Sequence, residues 1–237
     1  MKVHTLVDTN READTVEDNI YHATNASGSW VTTCIWDQNI GHPNTTKPSA
    51  AIDASNHLHL SFWSVPTKNL TYLTNASGSW TNVTIAEGKG TYNSISLDSS
   101  GHPYVIYSED GTVANGAQME YYATNASGSW ASRAITDLCP SSVSSSLYMR
   151  EDLQLKFTTG NKRHLAWAHS IQLEYLTDSS GSWQKYLLAP SAYRVRFDFD
   201  SVGNPVFLTT KYNSADNTFS LLHISELPAP TSEASGL

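Results

Sequence analysis

An all-β chain built from repeated four-stranded units is what this sequence predicts, and three observations carry that expectation. The octet ATNASGSW at residues 23–30 returns as LTNASGSW at 73–80 and as ATNASGSW at 123–130, and a fourth copy, LTDSSGSW, stands at 176–183. The tryptophans of the four copies are 50, 50 and 53 residues apart, a period that marks a repeat architecture. Between the copies, apolar, β-branched and aromatic residues alternate with polar ones in short runs bounded by Gly, Asn, Asp and Ser, and helical periodicity is absent. A four-stranded sheet of this size cannot hide both of its faces alone and must stack on the next around an axis. The expected fold is a five-bladed β-propeller of four-stranded antiparallel blades, its terminal blades incomplete or closed by the tail.

One full period shows how each element arises. TYNSISLDSSG from residue 91, HPYVIYSED, AQMEYYATNASG and SWASRAITD read as four strands, A to D. In the A to B link, Asp98 stands where its carboxylate accepts backbone N–H groups of a tight turn and Gly101 supplies a left-handed residue. The octet is the C to D corner: Thr and Asn cap the turn through their side chains, Gly128 tolerates positive φ, and Trp130 opens strand D with a large apolar surface. Residues 3–30 match 103–130 without a gap, so blade one begins in its strand B and lacks strand A. The last blade supplies YRVRFDFDSVG, NPVFLTTKY and NTFSLLHIS, strands A to C without the Trp hairpin. The blades fall at about 1–39, 48–87, 91–137, 147–190 and 193–227, a single propeller domain over 1–227 with eighteen strands. The tail 228–237, rich in Pro, Ala, Ser and Thr, is read as a linker, with an added edge strand as the alternative.

Composition removes several functions. With 22 acidic against 14 basic residues the formal charge is -8, and Lys and Arg form no stripe that could neutralise phosphates, which speaks against a nucleic-acid partner. No apolar run is long enough to span a bilayer, and the N-terminal residues lack the apolar core of a secretory signal. Cys34 and Cys139 have no metal-binding spacing and permit at most one disulfide.

The segments LDSSGHPYVIYSED and MEYYATNASGSW resemble bacterial β-propeller repeats distantly similar to the Asp-box repeats of sialidases, and blade count and length resemble five-bladed lectins of the tachylectin-2 type. An Asp-box places its Gly three residues before Trp; here Gly28, Gly78, Gly128 and Gly181 stand two before it, and Asn25, Asn75 and Asn125 replace the Asp. The resemblance implies a fold more than an activity. Sialidase-like chemistry, as the resemblance implies it, needs an arginine cluster, a Tyr with a Glu partner and an acid. The nearest approach to it is the row Arg194, Arg196, Asp198 and Asp200 on one face of a strand, read as a polar face turned toward a first blade without strand A. Asp53, Asp98 and Asp200 are assigned to A to B turns rather than to a catalytic pair.

His4, His59 and His164 share one column at the start of strand B, but Tyr104 and Val206 occupy it in the other blades. Packed or turn-bonded histidines are therefore expected, not a metal site. Asp8, Glu12, Asp14, Glu17 and Asp18 form an acidic loop without the spacing of a calcium loop. The N-x-S/T triplets at Asn25, Asn44, Asn69, Asn75, Asn82 and Asn125 are read as turn chemistry. What remains is a binding propeller: a non-enzymatic, lectin-like protein for glycans or surface polysaccharide, expected to be extracellular or at the cell surface and to need no cofactor. An assembly module pairing with copies of itself is the alternative, and a glycoside hydrolase the second. Trp30, Trp80, Trp130 and Trp183 recur in every hairpin and are expected to be buried between blades. Trp36 and Trp63 have no counterpart in the repeat, and with Asn44 and Asn69 they are the expected ligand-binding residues, on a rim that also carries the variable segments WDQNIGHPNTTKP, SVPTKN and SEDGTVANGAQ.

Overall fold

The computed structural model of the chain describes residues 4–8, 19–37, 48–108, 120–138, 152–169, 172–190, 192–228, 230 and 232–233. Five antiparallel sheets follow one another along the chain as the blades of a β-propeller. Blade one holds β1 (His4–Asp8), β2 (Ile20–Thr24) and β3 (Val31–Trp36). Blade two holds β4 (Ser49–Ile52), β5 (Leu58–Ser64), β6 (Asn69–Thr74) and β7 (Thr81–Glu87). Blade three holds β8 (Asn93–Leu97), β9 (Pro103–Ser108), β10 (Glu120–Thr124) and β11 (Ala131–Ala134), followed by the single-turn helix α1 (Ile135–Leu138). Blade four holds β12 (Asp152–Phe157), β13 (Arg163–His169), β14 (Gln172–Thr177) and β15 (Gln184–Pro190), and blade five β16 (Ala192–Phe199), β17 (Pro205–Asn213) and β18 (Thr218–Ile224). Among the described residues the first and last sheets are three-stranded, blade one lacking A and blade five lacking D. In the tail, β19 (Ser232–Glu233) pairs with Lys185 and Gln184 at the outer edge of blade four. The turn of helix at α1 was not expected; it forms where strand D ends early and Ile135 turns into the core between blades three and four. No helix among the described residues is long and apolar enough to cross a membrane.

The repeated octet closes the same corner four times. Gly28, Gly78, Gly128 and Gly181 each donate their N–H to the carbonyl three residues back, at 2.7–3.0 Å, with φ between 89° and 98°. The Thr before the Asn accepts a second N–H in every copy, for example Ala76 N to Thr74 Oγ1 at 3.2 Å. In the second and fourth copies the side chain after the Thr reaches further, across to strand B. Asn75 Oδ1 accepts the N–H of Leu58 at 2.7 Å, and in the fourth copy Asp178 Oδ1 accepts that of Arg163 at 2.6 Å. The first donor of strand B, which has no ladder partner there, is thus satisfied. The A to B turns follow the expected pattern: Asp98 Oδ1 accepts Ser100 and His102 N–H at 2.9 Å each, and Asp53 and Asp200 repeat it.

Four apolar clusters hold the blades, each astride one successive pair. Ile20 and Trp36 of blade one meet Leu60 and Phe62 of blade two; Leu70 and Tyr72 meet Val105 and Tyr107 of blade three. Ile106 and Tyr122 meet Leu165 and Trp167 of blade four, and Ala166 and Tyr175 meet Val195 and Phe207 of blade five. The hairpin tryptophans of blades two, three and four lean back on the residue two before the end of strand C, or its neighbours, in the blade before. Trp80 meets His22 edge-on at 6.4 Å between centroids and Trp130 meets Tyr72 at 5.1 Å. Trp183 joins Tyr122 in the cluster between blades three and four. Burial of the column is graded rather than uniform, which corrects the expectation. Trp183 keeps 9% of its surface, Trp80 and Trp130 are half-buried, and Trp30, with no described blade before it, is 58% exposed.

Candidate functional site

The A strands lie side by side, β4 against β8, β8 against β12 and β12 against β16. One column along them stands four residues before the residue that opens each A to B turn: Ser49, Ser94, Gln154 and Arg196. The first three stitch the blades together. Ser49 Oγ accepts the N–H of Ile95 at 3.1 Å, Ser94 Oγ that of Leu155 at 3.3 Å, and Gln154 Oε1 that of Phe197 at 3.3 Å. A central strand whose edge faces a neighbouring blade instead of another strand would leave N–H groups unpaired, and this column supplies acceptors at the matching height.

A cavity of about 180 Å³ opens where these strands meet. Ser49, Ser94, Gln154 and Arg196 line it together with Tyr92, Asn93 and Asp152. Each stitch uses an oxygen as acceptor, so the hydroxyl protons of Ser49 and Ser94 and the amide protons of Gln154 remain as donors. Asn93 is fixed on both sides, its Oδ1 accepting from Ser61 Oγ at 2.6 Å and its Nδ2 donating to the Gly90 carbonyl at 3.3 Å. Asp152 is buried; one carboxylate oxygen accepts from Arg196 at 2.9 Å and the other has no hydrogen-bond partner. Arg196 also donates to its neighbour's carbonyl, Val195 O, at 2.7 Å, while most of its side chain stays exposed. The charges cancel, which leaves a neutral cavity walled by hydroxyls, amides and one ion pair in a protein of net charge -8.

The row Arg194, Arg196, Asp198 and Asp200 alternates with the core residues Val195 and Phe197 and so lies on the face of β16 turned away from that core, and two of its members also bond back to blade four. Arg196 reaches Asp152 and Asp198 reaches Lys156 at 3.0 Å, both on the A strand of blade four, while Asp200 caps its own turn. Lys156 donates to Asp198 and holds its carboxyl below the usual range. Sequence reasoning found this row but missed Ser49, Ser94 and Gln154. The signal was present: counted back from the turn residues Asp53, Asp98, Thr158 and Asp200, all four column members coincide.

The expected ligand residues lie elsewhere. Trp36 is half-buried and packs edge-on against Phe62 at 4.9 Å, so most of it serves the interface of blades one and two. Trp63 follows Phe62 in β5 and therefore lies on the opposite face of blade two, with 9% of its surface exposed. The two rings therefore stand on opposite sides of blade two. Trp63 occupies the position that Ser108 and Ala168 take in the next two blades, on the face covered by the following blade. Asn69, paired with Ser64 and Glu87 at the start of β6, is half-buried and directs its amide at the carbonyls of Thr67 and Lys68. Asn44, the acidic loop and most of the variable segments lie outside the described residues, as does Cys139; Cys34 is free and exposed.

In the strand B column, His59 Nδ1 meets Tyr72 Oη at 2.6 Å and His164 Nδ1 meets Tyr175 Oη at 2.5 Å. Burial lowers both imidazoles, His164 to about 4, so each is neutral and tied to the tyrosine beside it. Where blade three has Tyr104, Tyr122 instead takes a hydrogen bond from Arg163 of the next blade at 3.2 Å. Burial pushes the Tyr122 phenol up to about 12, against the lowering by Arg163. No group of three metal-ligating side chains occurs among the described residues.

No protein-family model and no curated protein matches the sequence. Among solved structures, an exo-β-1,3-galactanase from Clostridium thermocellum aligns over 94% of this chain and 56% of its own, at 12% identity and TM-score 0.48. A prolyl endopeptidase aligns over 95% and 37%, at 9% identity and TM-score 0.47, so the chain spans about half the length of these two or less. A putative exo-β-1,3-galactanase from Bifidobacterium bifidum aligns over 92% and 82%, at 13% identity and TM-score 0.46.

Proposed function

We propose that the protein is a non-enzymatic, carbohydrate-binding propeller that takes a sugar unit into the axial cavity. The observation that carries this reading is the chemistry of the wall: hydroxyl and amide donors from Ser49, Ser94 and Gln154 face one cavity with the neutralised Asp152–Arg196 pair. A hydroxyl-rich, uncharged ligand matches donors and acceptors of this kind, and Tyr92 offers an aromatic surface beside them. A phosphate or nucleic acid would need uncompensated positive charge, and the arginine in the wall is already paired. Hydrolysis of a glycosidic bond by the usual route employs two carboxylates about 5–10 Å apart, whereas Asp152 is the one carboxylate that lines the cavity among the described residues. Binding without turnover is therefore the favoured reading, and an extracellular or cell-surface setting goes with it.

A glycan array followed by titration of the best ligand, read by intrinsic Trp and Tyr fluorescence, tests it. The double variant Asp152→Asn/Arg196→Gln keeps the shape and neutrality of the pair and should weaken binding at least tenfold, while Trp36→Ala and Trp63→Ala leave affinity unchanged. A blank array, release of any sugar from the ligand, or loss of binding confined to the Trp36 and Trp63 variants would defeat the axial reading.

A further inference from the structure

The first three junctions between blades use the same two surfaces, and the five described blades leave one of each uncovered. The forward face of a blade presents two residues of strand B and two of strand C in register: Ser61, Trp63, Leu70 and Tyr72 in blade two, Ile106, Ser108, Glu120 and Tyr122 in blade three, Ala166, Ala168, Leu173 and Tyr175 in blade four. All twelve are buried beneath the following blade. The same register in blade five gives Leu208, Thr210, Leu221 and His223. There Leu208 is 45% and Leu221 72% exposed, and His223 is exposed as well. A hollow of about 300 Å³ lies along this face between Arg194, Leu208, Thr210 and Leu221 and reaches the Asp152–Arg196 pair.

The backward face of a blade presents its hairpin tryptophan. Trp80 rests on His22 and Trp130 on Tyr72, whereas Trp30 has no described blade before it. His22 and Tyr72 hold the same place in strand C that His223 holds in blade five, two residues before the last turn-capping position. The uncovered backward face thus offers a tryptophan, and the uncovered forward face offers the imidazole on which such a tryptophan rests between blades one and two.

We propose that blade five of one molecule docks on blade one of a second copy of this chain, Trp30 packing against His223 and Leu221 as Trp80 packs against His22. The contact is heterologous, head to tail, so it closes into a ring or continues into a filament according to the rotation it imposes. What points to a second copy is the match to tryptophan-bearing interfaces already built three times within the chain. Within one molecule both surfaces stay exposed. The docking rests on Trp30, Leu221 and His223, which do not line the axial cavity, although the hollow beside them shares Asp152 and Arg196 with it; assembly of this kind would place several axial cavities on one body.

Molar mass is measured by light scattering across a hundredfold range of concentration for the parent, Trp30→Glu, Leu221→Glu and an equimolar mixture of the two variants. Trp30 and Leu221 are exposed, so either charge leaves the monomer's fold and melting curve unchanged at low concentration. The parent's mass should rise with concentration, and each variant alone should lose that rise, because every junction in a homogeneous sample carries the charge. The mixture should yield a one-to-one dimer, since the intact forward face of the Trp30→Glu molecule meets the intact Trp30 of the Leu221→Glu molecule. A monomeric parent at all concentrations, or a mixture no heavier than its components, would overturn the proposal. So would self-association that survives in either single variant.

Discussion

Replacing Arg163 by Met should loosen the junction of blades three and four more than any other single change of a polar residue. The guanidinium grips Asp178 with Nε at 2.8 Å and Nη2 at 2.7 Å, donates to Tyr122 of the preceding blade at 3.2 Å, and lies over the Trp183 ring at 4.7 Å. Its side chain is 29% exposed and that of Asp178 15%, so solvent screens the pair only in part. Methionine restores the apolar stem but leaves Asp178 with a single bond, from the residue 163 backbone N–H, and Tyr122 without its donor. A hydrogen bond to a charged group is worth about 1.5–3 kcal/mol, and a cation over an aromatic face about 0.5–1 kcal/mol or more. Discounted for exposure, the loss comes to about 3 kcal/mol, which for a chain of this size lowers Tm by about 6–12 °C. Chemical denaturation with a double-mutant cycle against Tyr122→Phe measures the coupling directly. A destabilisation below about 0.5 kcal/mol, or strict additivity of the two variants, would refute the idea that Arg163 clips the blades together.

The graded tryptophan column predicts graded costs: Trp183→Ala should lose about 3–5 kcal/mol and Trp30→Ala, measured at low concentration, less than about 0.5 kcal/mol, by denaturant melts. Ser94→Ala removes the acceptor for the N–H of Leu155 and should cost about 1–3 kcal/mol with faster amide exchange at Leu155; unchanged exchange there would count against the stitch. Acid should weaken the fold in two stages. A histidine whose folded value is depressed to about 4 binds its proton first in the unfolded chain, so the contribution of His164 is intact above about pH 6.5 and disappears as pH falls toward 4; it amounts to about 3 kcal/mol, and His164→Asn should flatten that limb. Asp53 follows: burial raises its carboxyl, but bonds from His57 and Ser55 outweigh this and hold it at about 2, so its contribution is lost between about pH 3.8 and 2.

Wherever local chemistry repeats, the fold could be read from residues. The octet announces a corner because Gly must take positive φ and Thr and Asn must cap the N–H groups around it. Asp98 announces a turn for the same reason, and the gapless match of residues 3–30 to 103–130 put β1 in its place as a strand B. The eighteen blade strands expected correspond to β1 to β18. What escaped the reading depends on which blade lies next door. Trp63 looks exceptional in sequence because its counterparts are Ser108 and Ala168, yet a large ring and a small residue fill the same covered position when the neighbouring blade adjusts. Conversely, Trp30 is spelled like the other three hairpin tryptophans and differs only in having no described predecessor. The axial column escaped because its members differ in type; Ser, Ser and Gln have in common an oxygen at one height, a property of register and not of identity.

That register explains why one fold can change its centre without changing its corners. The stitch demands only an acceptor at the column position, so Ser49 can be short and Gln154 long, and the length chosen sets how far donors reach into the cavity. Blade five escapes even this demand. With no following A strand among the described residues to donate to it, its column residue is itself a donor, Arg196, which turns back to the buried carboxylate of Asp152. The polar cavity and the exposed forward face of blade five thus meet at Arg196, where a position that joins the other described blades turns back on its own neighbour instead.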